Sequence, residues 1–135
     1  MTSSRRTPHA DRGAVSTQLV LVLPALMLLA LLIVQFALVW HARHITQYAA
    51  QRALAAARVQ NATAADGQRQ ARTSLAALGS RVLTRPSVHV DRTETRTTVR
   101  VQGTVMPVVP GLTLHASAAA SGPTERLTFP GGARP

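Results

Sequence analysis

The chain contains no cysteine and no lysine, five acidic residues and four large aromatics in 135 positions. Without cysteine there is no disulfide framework, no thiolate metal site and no cysteine nucleophile. With one Trp, one Tyr and two Phe, a soluble core must be built from Val, Leu and Ala, and it will be small. Every fixed positive charge is an arginine, and the formal net charge is +10. Apart from Arg5 and Arg6 these arginines stand singly among Ala and Thr. Nucleic-acid binding calls for a dense basic patch, preferably with aromatics on which bases stack, and the pattern argues against it. A solvated basic surface, with some attraction to anionic polymers, is the expectation.

What the chain does have is one long apolar run. Leu19–Trp40 is 22 residues with a single strongly polar residue, Gln35, and one proline, Pro24. As a helix it reaches roughly 33 Å, enough for a hydrocarbon core of ~30 Å. Pro24 lies near its start, where a missing N–H costs least, and Trp40 stands at its far end, where an indole marks an interface. A cleaved secretory signal fits poorly. Its apolar region is ~7–15 residues and ends in small residues, whereas Trp40-His41-Ala42-Arg43 follows here. Arg5-Arg6 lacks the apolar residues that follow a twin-arginine signal. The arginines flanking the run are nearly balanced, and the tighter group before it favours a cytoplasmic N-terminus by the positive-inside rule.

Beyond the run, Ala42–Val59 has no helix breaker. Ala42, Ala49 and Ala56 recur every seven residues beside Ile45, Ala53 and Ala57, which extends the helix and makes a small-residue stripe able to approach a partner helix closely. Residues 61–67 read as a break. Thr63 and Asp66 have capping-box spacing, and the second helix they open is expected to stop at Leu78, with Gly79 as its C-terminal glycine. The period then becomes two. Val88 and Val90 alternate with polar residues, as do Val99, Val101, Gly103 and Val105, which predicts two strands joined through residues 92–96. Leu112, Leu114 and Ala116 suggest a third strand after a connector containing Pro107 and Pro110. The fold class is α+β: a long N-terminal transmembrane helix continuing into an external domain with a second helix and a small antiparallel sheet. The expected divisions are a leader at 1–13, the helix and its continuation at 14–60, an external domain at 61–121 and a flexible tail at 122–135.

Groups able to do chemistry are sparse. Asp91 and Glu94 fall at an expected hairpin end. His41 and His44 share a helix face, but neighbouring Arg43 and the lack of a carboxylate favour interfacial placement over a metal. His89 and His115 stand on expected strands with no pairing fixed. No phosphate-cradling loop or Ser/His/Asp grouping stands out, so no catalytic residue, cofactor or metal site is expected.

The stretch Arg12-Gly13-Ala14-Val15-Ser16-Thr17-Gln18, followed by the apolar helix, resembles the cut site of prepilin-like proteins. In such proteins a membrane peptidase cuts after the glycine, here between Gly13 and Ala14. More closely, LVLVLPALMLLALLIVQFALVWHARHITQYAAQRALAAARV and the later VVPGLTLHASAAASGPTER resemble the TadE/TadG-like pseudopilins of the tight-adherence (Flp) pilus system. The resemblance runs from about Arg12 to Arg126. Gln18 and Gln35 stand where the family commonly has Glu. A neutral amide hydrogen-bonds but forms no ion pair, so the resemblance gives Gln18 and Gln35 roles in processing or helix packing, with Gln35 expected to bond another helix for ~1 kcal/mol at most.

The resemblance implies a single-pass membrane protein, N-terminus cytoplasmic and C-terminus external, that supports assembly of a Flp-type pilus. Its implied partners are the membrane, other pilin-like or TadE-like subunits and a prepilin peptidase, with no nucleic acid and no small-molecule substrate. The alternative from the residues alone is a membrane-anchored module whose basic external domain binds an envelope polymer, outside any pilus. A signal-anchored enzyme with an unrecognised site is a more distant one.

Overall fold

The computed structural model describes the backbone of residues 11–126 and the side chains of residues 19–126. Two helices and three strands follow in the order α1 (Asp11–Arg58), α2 (Ala64–Leu78), β1 (Leu83–Arg92), β2 (Arg96–Val105) and β3 (Leu114–Pro123). The architecture is the expected α+β.

The apolar run and its Ala-rich continuation form one uninterrupted 48-residue helix, with Pro24 inside it. Asn61, at φ 65°, takes the left-handed conformation just past its end. The break is shorter than residues 61–67. Thr63 is already the N-cap of α2, and Gly67 lies inside that helix. The expected capping box is present: the Asp66 N–H donates to the Thr63 hydroxyl, and the Thr63 N–H donates to the Asp66 carboxylate at 2.7 Å. Two orphan donors of the first turn are thereby satisfied.

The strands form an antiparallel sheet in the order β1-β2-β3. Val90 faces Val99, Val88 faces Val101 and Leu83 faces Val105. On the other side Ala120, Ala118, Ala116 and Leu114 face Val99, Val101, Gly103 and Val105. These residues make the face that packs on the helices, so valine supplies the bulk in the central strand and alanine lets the outer strand lie close. Strand β1 starts five residues before Val88, because a bulge lies between Thr84 and Ser87. Arg85 there has φ 50°. One extra residue shifts the alternation, so Leu83, at an odd number, shares a face with Val88 and Val90, at even ones. Pro86 is tolerated because β1 is an edge strand.

The core lies where the outer half of α1 meets α2 and the sheet. Ala42, Ile45, Ala49, Ala50, Ala53, Leu54 and Ala57 are buried, at the i, i+3, i+4 and i+7 spacing of one helix face. Ala56, counted in the expected stripe, is half-buried. The helix that approaches this stripe closely is the chain's own α2. A Cβ on Gly67 would stand 2.8 Å from Ala57 Cβ and 3.0 Å from the Ala53 carbonyl. Gly79 ends α2 as expected but not in the left-handed conformation, since its φ is −106°. Its need for glycine is spatial: a Cβ would meet the Leu75 carbonyl at 3.0 Å and both Ile45 and Leu83 at 3.3 Å.

The C-terminal boundary drawn at residue 122 falls inside β3, which continues through Pro123. The Glu125 N–H donates to the Arg58 carbonyl at 2.8 Å, and the Arg92 guanidinium donates to the Val59 carbonyl at 3.1 Å. The first fills an acceptor that the end of α1 leaves open, and the second joins the Ala62 N–H on the carbonyl of the next residue.

Candidate membrane anchor and its clamp

Two halves of α1 meet different surroundings. From Leu19 to Val34 almost every side chain is exposed, bulky apolar residues on all sides included. The helix is long and apolar enough to cross a membrane, and almost none of its most apolar stretch is covered by the rest of the chain. A soluble core helix would be covered; this one exposes a continuous apolar cylinder far larger than soluble monomers carry. One such N-terminal helix fits a single-pass membrane protein.

The boundary between the halves is Gln35, whose side chain is 0% exposed. Its Oε1 accepts the N–H groups of Val108 at 2.6 Å and Val109 at 3.3 Å. Its Nε2 donates to the Met106 carbonyl at 3.4 Å. The partner is therefore the β2–β3 connector of its own chain, rather than the neighbouring helix expected for it. That connector reaches α1 at the boundary between its halves and is clamped there by one amide. The other buried polar residues are also hydrogen-bonded: Thr46 donates to the Arg43 carbonyl and Ser74 to that of Gln70 within their own helices, and Thr97 shares a hydrogen bond with Thr124, 27 residues on; the buried Nε of Arg92 has no such partner.

Gly13, Ala14 and Gln18 lie on the first turns of α1; their side chains, with the rest of the leader before residue 11, lie outside the described residues. Trp40 is exposed, with its ring edge-on to His44 at 5.4 Å. His41 is exposed too, and no group of three metal-ligating side chains occurs among the described residues. His89 and His115 are not on adjacent strands, because β2 runs between them; His89 lies 3.2 Å from Asp91 and His115 faces Thr104.

The acidic side chains that are described are each matched with a basic one. Asp66 pairs with Arg69, Asp91 with His89, Glu94 with Arg126 and Glu125 with Arg58. The Asp66 carboxyl is held below its ordinary value, first by the Thr63 N–H and then by the Thr63 hydroxyl. All four acids stand at the end of the sheet domain away from the apolar half of α1. Residues 92–96 close the hairpin there, and α1 and α2 meet there through Ala57 and Gly67. Sequence reasoning missed the clamp. Its signal was a lone amide in an apolar run, with its partners 71 to 74 residues away.

The family model described as TadE-like protein matches residues 13–58, in agreement with the resemblance read from the membrane segment and its continuation. No curated protein and no solved structure matches the chain.

Proposed function

We propose, taking residues 13–58 as a TadE-like anchor, that the protein is a membrane-anchored pseudopilin supporting assembly of a Flp-type pilus. Its role is structural. The apolar half of α1 holds it in the bilayer beside other pilin-like or TadE-like helices, and the sheet domain makes the specific contacts outside. The N-terminus is cytoplasmic and the C-terminus external. The observation that carries this reading is the single uninterrupted helix: a TadE-like segment of membrane length runs without a break into the core of a small domain. Contacts made in the membrane and outside it are thereby mechanically joined.

In the same reading a prepilin peptidase cuts between Gly13 and Ala14. The family match begins at Gly13. Glycine gives a peptidase at the membrane surface close access to the backbone, and Ala14, Ser16 and Thr17 keep the bond near the interface. Gln18 would offer an amide to a neighbouring subunit inside the membrane.

Deleting the gene in its native cell should abolish or sharply reduce surface pili, and restoring it should recover them. Normal piliation of the deletion strain would sink the assembly role. Intact-mass measurement of protein extracted from cells with the peptidase should show a chain starting at Ala14, and Gly13→Val should leave it full-length. A full-length wild-type chain under those conditions leaves an uncut anchor.

A further inference from the structure

We propose that the β2–β3 connector, Met106–Leu112, is a lipid-binding element: it dips into the interfacial layer of the bilayer that α1 crosses, on the side of the sheet domain. This rests on α1 being membrane-spanning.

The first observation is depth. The connector is bonded to Gln35, five residues before Trp40 on the same helix. Five helical residues advance about 7.5 Å, within the ~5–10 Å to which interfacial segments bury apolar groups. If Trp40 marks the interface, the connector lies below it. If the interface were instead at Gln35, only Leu19–Val34 would remain to span the bilayer. Those 16 residues reach about 24 Å, short of a hydrocarbon core. Phe36 and Trp40, 63% and 67% exposed, would then face water.

The second is composition. Met106-Pro107-Val108-Val109-Pro110-Gly111-Leu112 carries no charge and no polar side chain, and Met106 is 49% exposed. An apolar loop on a chain this basic is a departure from its surroundings, and it is held against α1 at Gln35, whose neighbours in sequence, Val34 and Phe36, are exposed.

The third is backbone satisfaction, the requirement lipid imposes on any non-helical segment. Met106 N–H donates to the Val82 carbonyl at 2.9 Å, and Leu112 N–H to the Val109 carbonyl at 3.2 Å. Gln35 takes the N–H groups of Val108 and Val109, and the two prolines have none. Of the N–H groups only that of Gly111, at the exposed tip, is left. The carbonyls of Pro107, Val108, Pro110, Gly111 and Leu112 accept no bond from the chain and are left to water or headgroup donors, which the interfacial layer supplies and the hydrocarbon core does not. The clamp solves two problems together, since the Gln35 amide would itself be costly in hydrocarbon.

The fourth is charge. Toward the membrane-proximal end of the domain stand Arg81 and Arg85, at the start of β1, and Arg43, two residues before the Ile45 that meets Gly79 beside Leu83; all three are exposed. The described acids are all at the opposite end. Arginines just above a buried apolar loop fit the phosphates of anionic lipids.

The absence of native cysteine allows background-free labelling. Met106→Cys, Pro110→Cys, Leu29→Cys and Ser121→Cys can be spin-labelled in the full-length protein and reconstituted in vesicles containing anionic phospholipid. Collision accessibility is then read with oxygen, which partitions into lipid, and with a water-soluble nickel chelate. Met106 and Pro110 should resemble Leu29, favouring oxygen, and oppose Ser121 at the far end of β3. If Leu29 favours oxygen while Met106 and Pro110 favour nickel, the connector lies in water and the proposal fails, though the membrane span stands. Shielding of both loop sites from both reagents, with spin–spin broadening, would put a neighbouring protein copy there and would also overturn it. A Leu29 site favouring nickel removes the membrane span and the connector's depth with it.

Discussion

The inner and outer halves of α1 are one helix built for two surroundings. Below Gln35 the side chains are almost all Leu, Val, Ile and Met, exposed on nearly every face. Above it the buried face is mostly alanine, with polar residues opposite. Hydrocarbon is fluid and accommodates bulk, so the lower half maximises apolar surface with no need for shape. The upper half meets a sheet and a second helix at fixed distances, where a Cβ on Gly67 would already crowd Ala57 and Ala53. Small residues there let backbones approach, and large ones would push the layers apart.

The comparison breaks most sharply with a charge. Val101 is buried in the central strand between Val88 and Ala118. Val101→Asp should cost several kcal/mol, comparable to the stability of a small domain. In detergent the full-length variant should lose cooperative sheet melting while α1 keeps its helical circular dichroism. Retention of the wild-type transition would mean that this face does not hold the core.

Overpacking comes next. Gly67→Ala gains helix propensity of ~1 kcal/mol but sets a Cβ against one side chain and one backbone carbonyl, a repacking cost of typically 1–3 kcal/mol. A lower melting temperature is expected, and a rise would show that α2 can shift away from α1 cheaply.

The α2 cap gives a smaller effect. Thr63→Ala should destabilise by ~1 kcal/mol. Because the Asp66 carboxyl is held low in the folded chain, its contribution is complete above the unfolded value of ~3.9 and is lost as pH falls through the lower folded value. Asp66→Asn should flatten that acid limb of the melting-temperature profile. An unchanged limb would assign the acid sensitivity to other groups.

The smallest effect sharpens the contrast from the other side. Leu29 is exposed in the apolar half, so Leu29→Ala should move the sheet domain's melting by no more than ~0.5 kcal/mol. A larger change would mean that the two halves of α1 are energetically coupled.

What the sequence determined by itself is what resides within a few neighbouring residues. The membrane-length run, the Thr63–Asp66 cap and the two-residue alternation of Val99, Val101 and Val105 were all legible, because each is a local period or spacing. The tertiary structure alone decided what joins distant segments. Gln35 reads locally as a stray amide, and its partners lie on a connector more than seventy residues on. The start of β1 was hidden because the bulge breaks the alternation between Leu83 and Val88. Gly79 looked like a backbone requirement and is a steric one, set by Ile45 and Leu83. Glu125 reads as part of a loose end, yet its N–H fills an acceptor at the end of α1. Side-chain periodicity records which face is buried; it carries no record of what covers that face, because the covering surface belongs to another part of the chain.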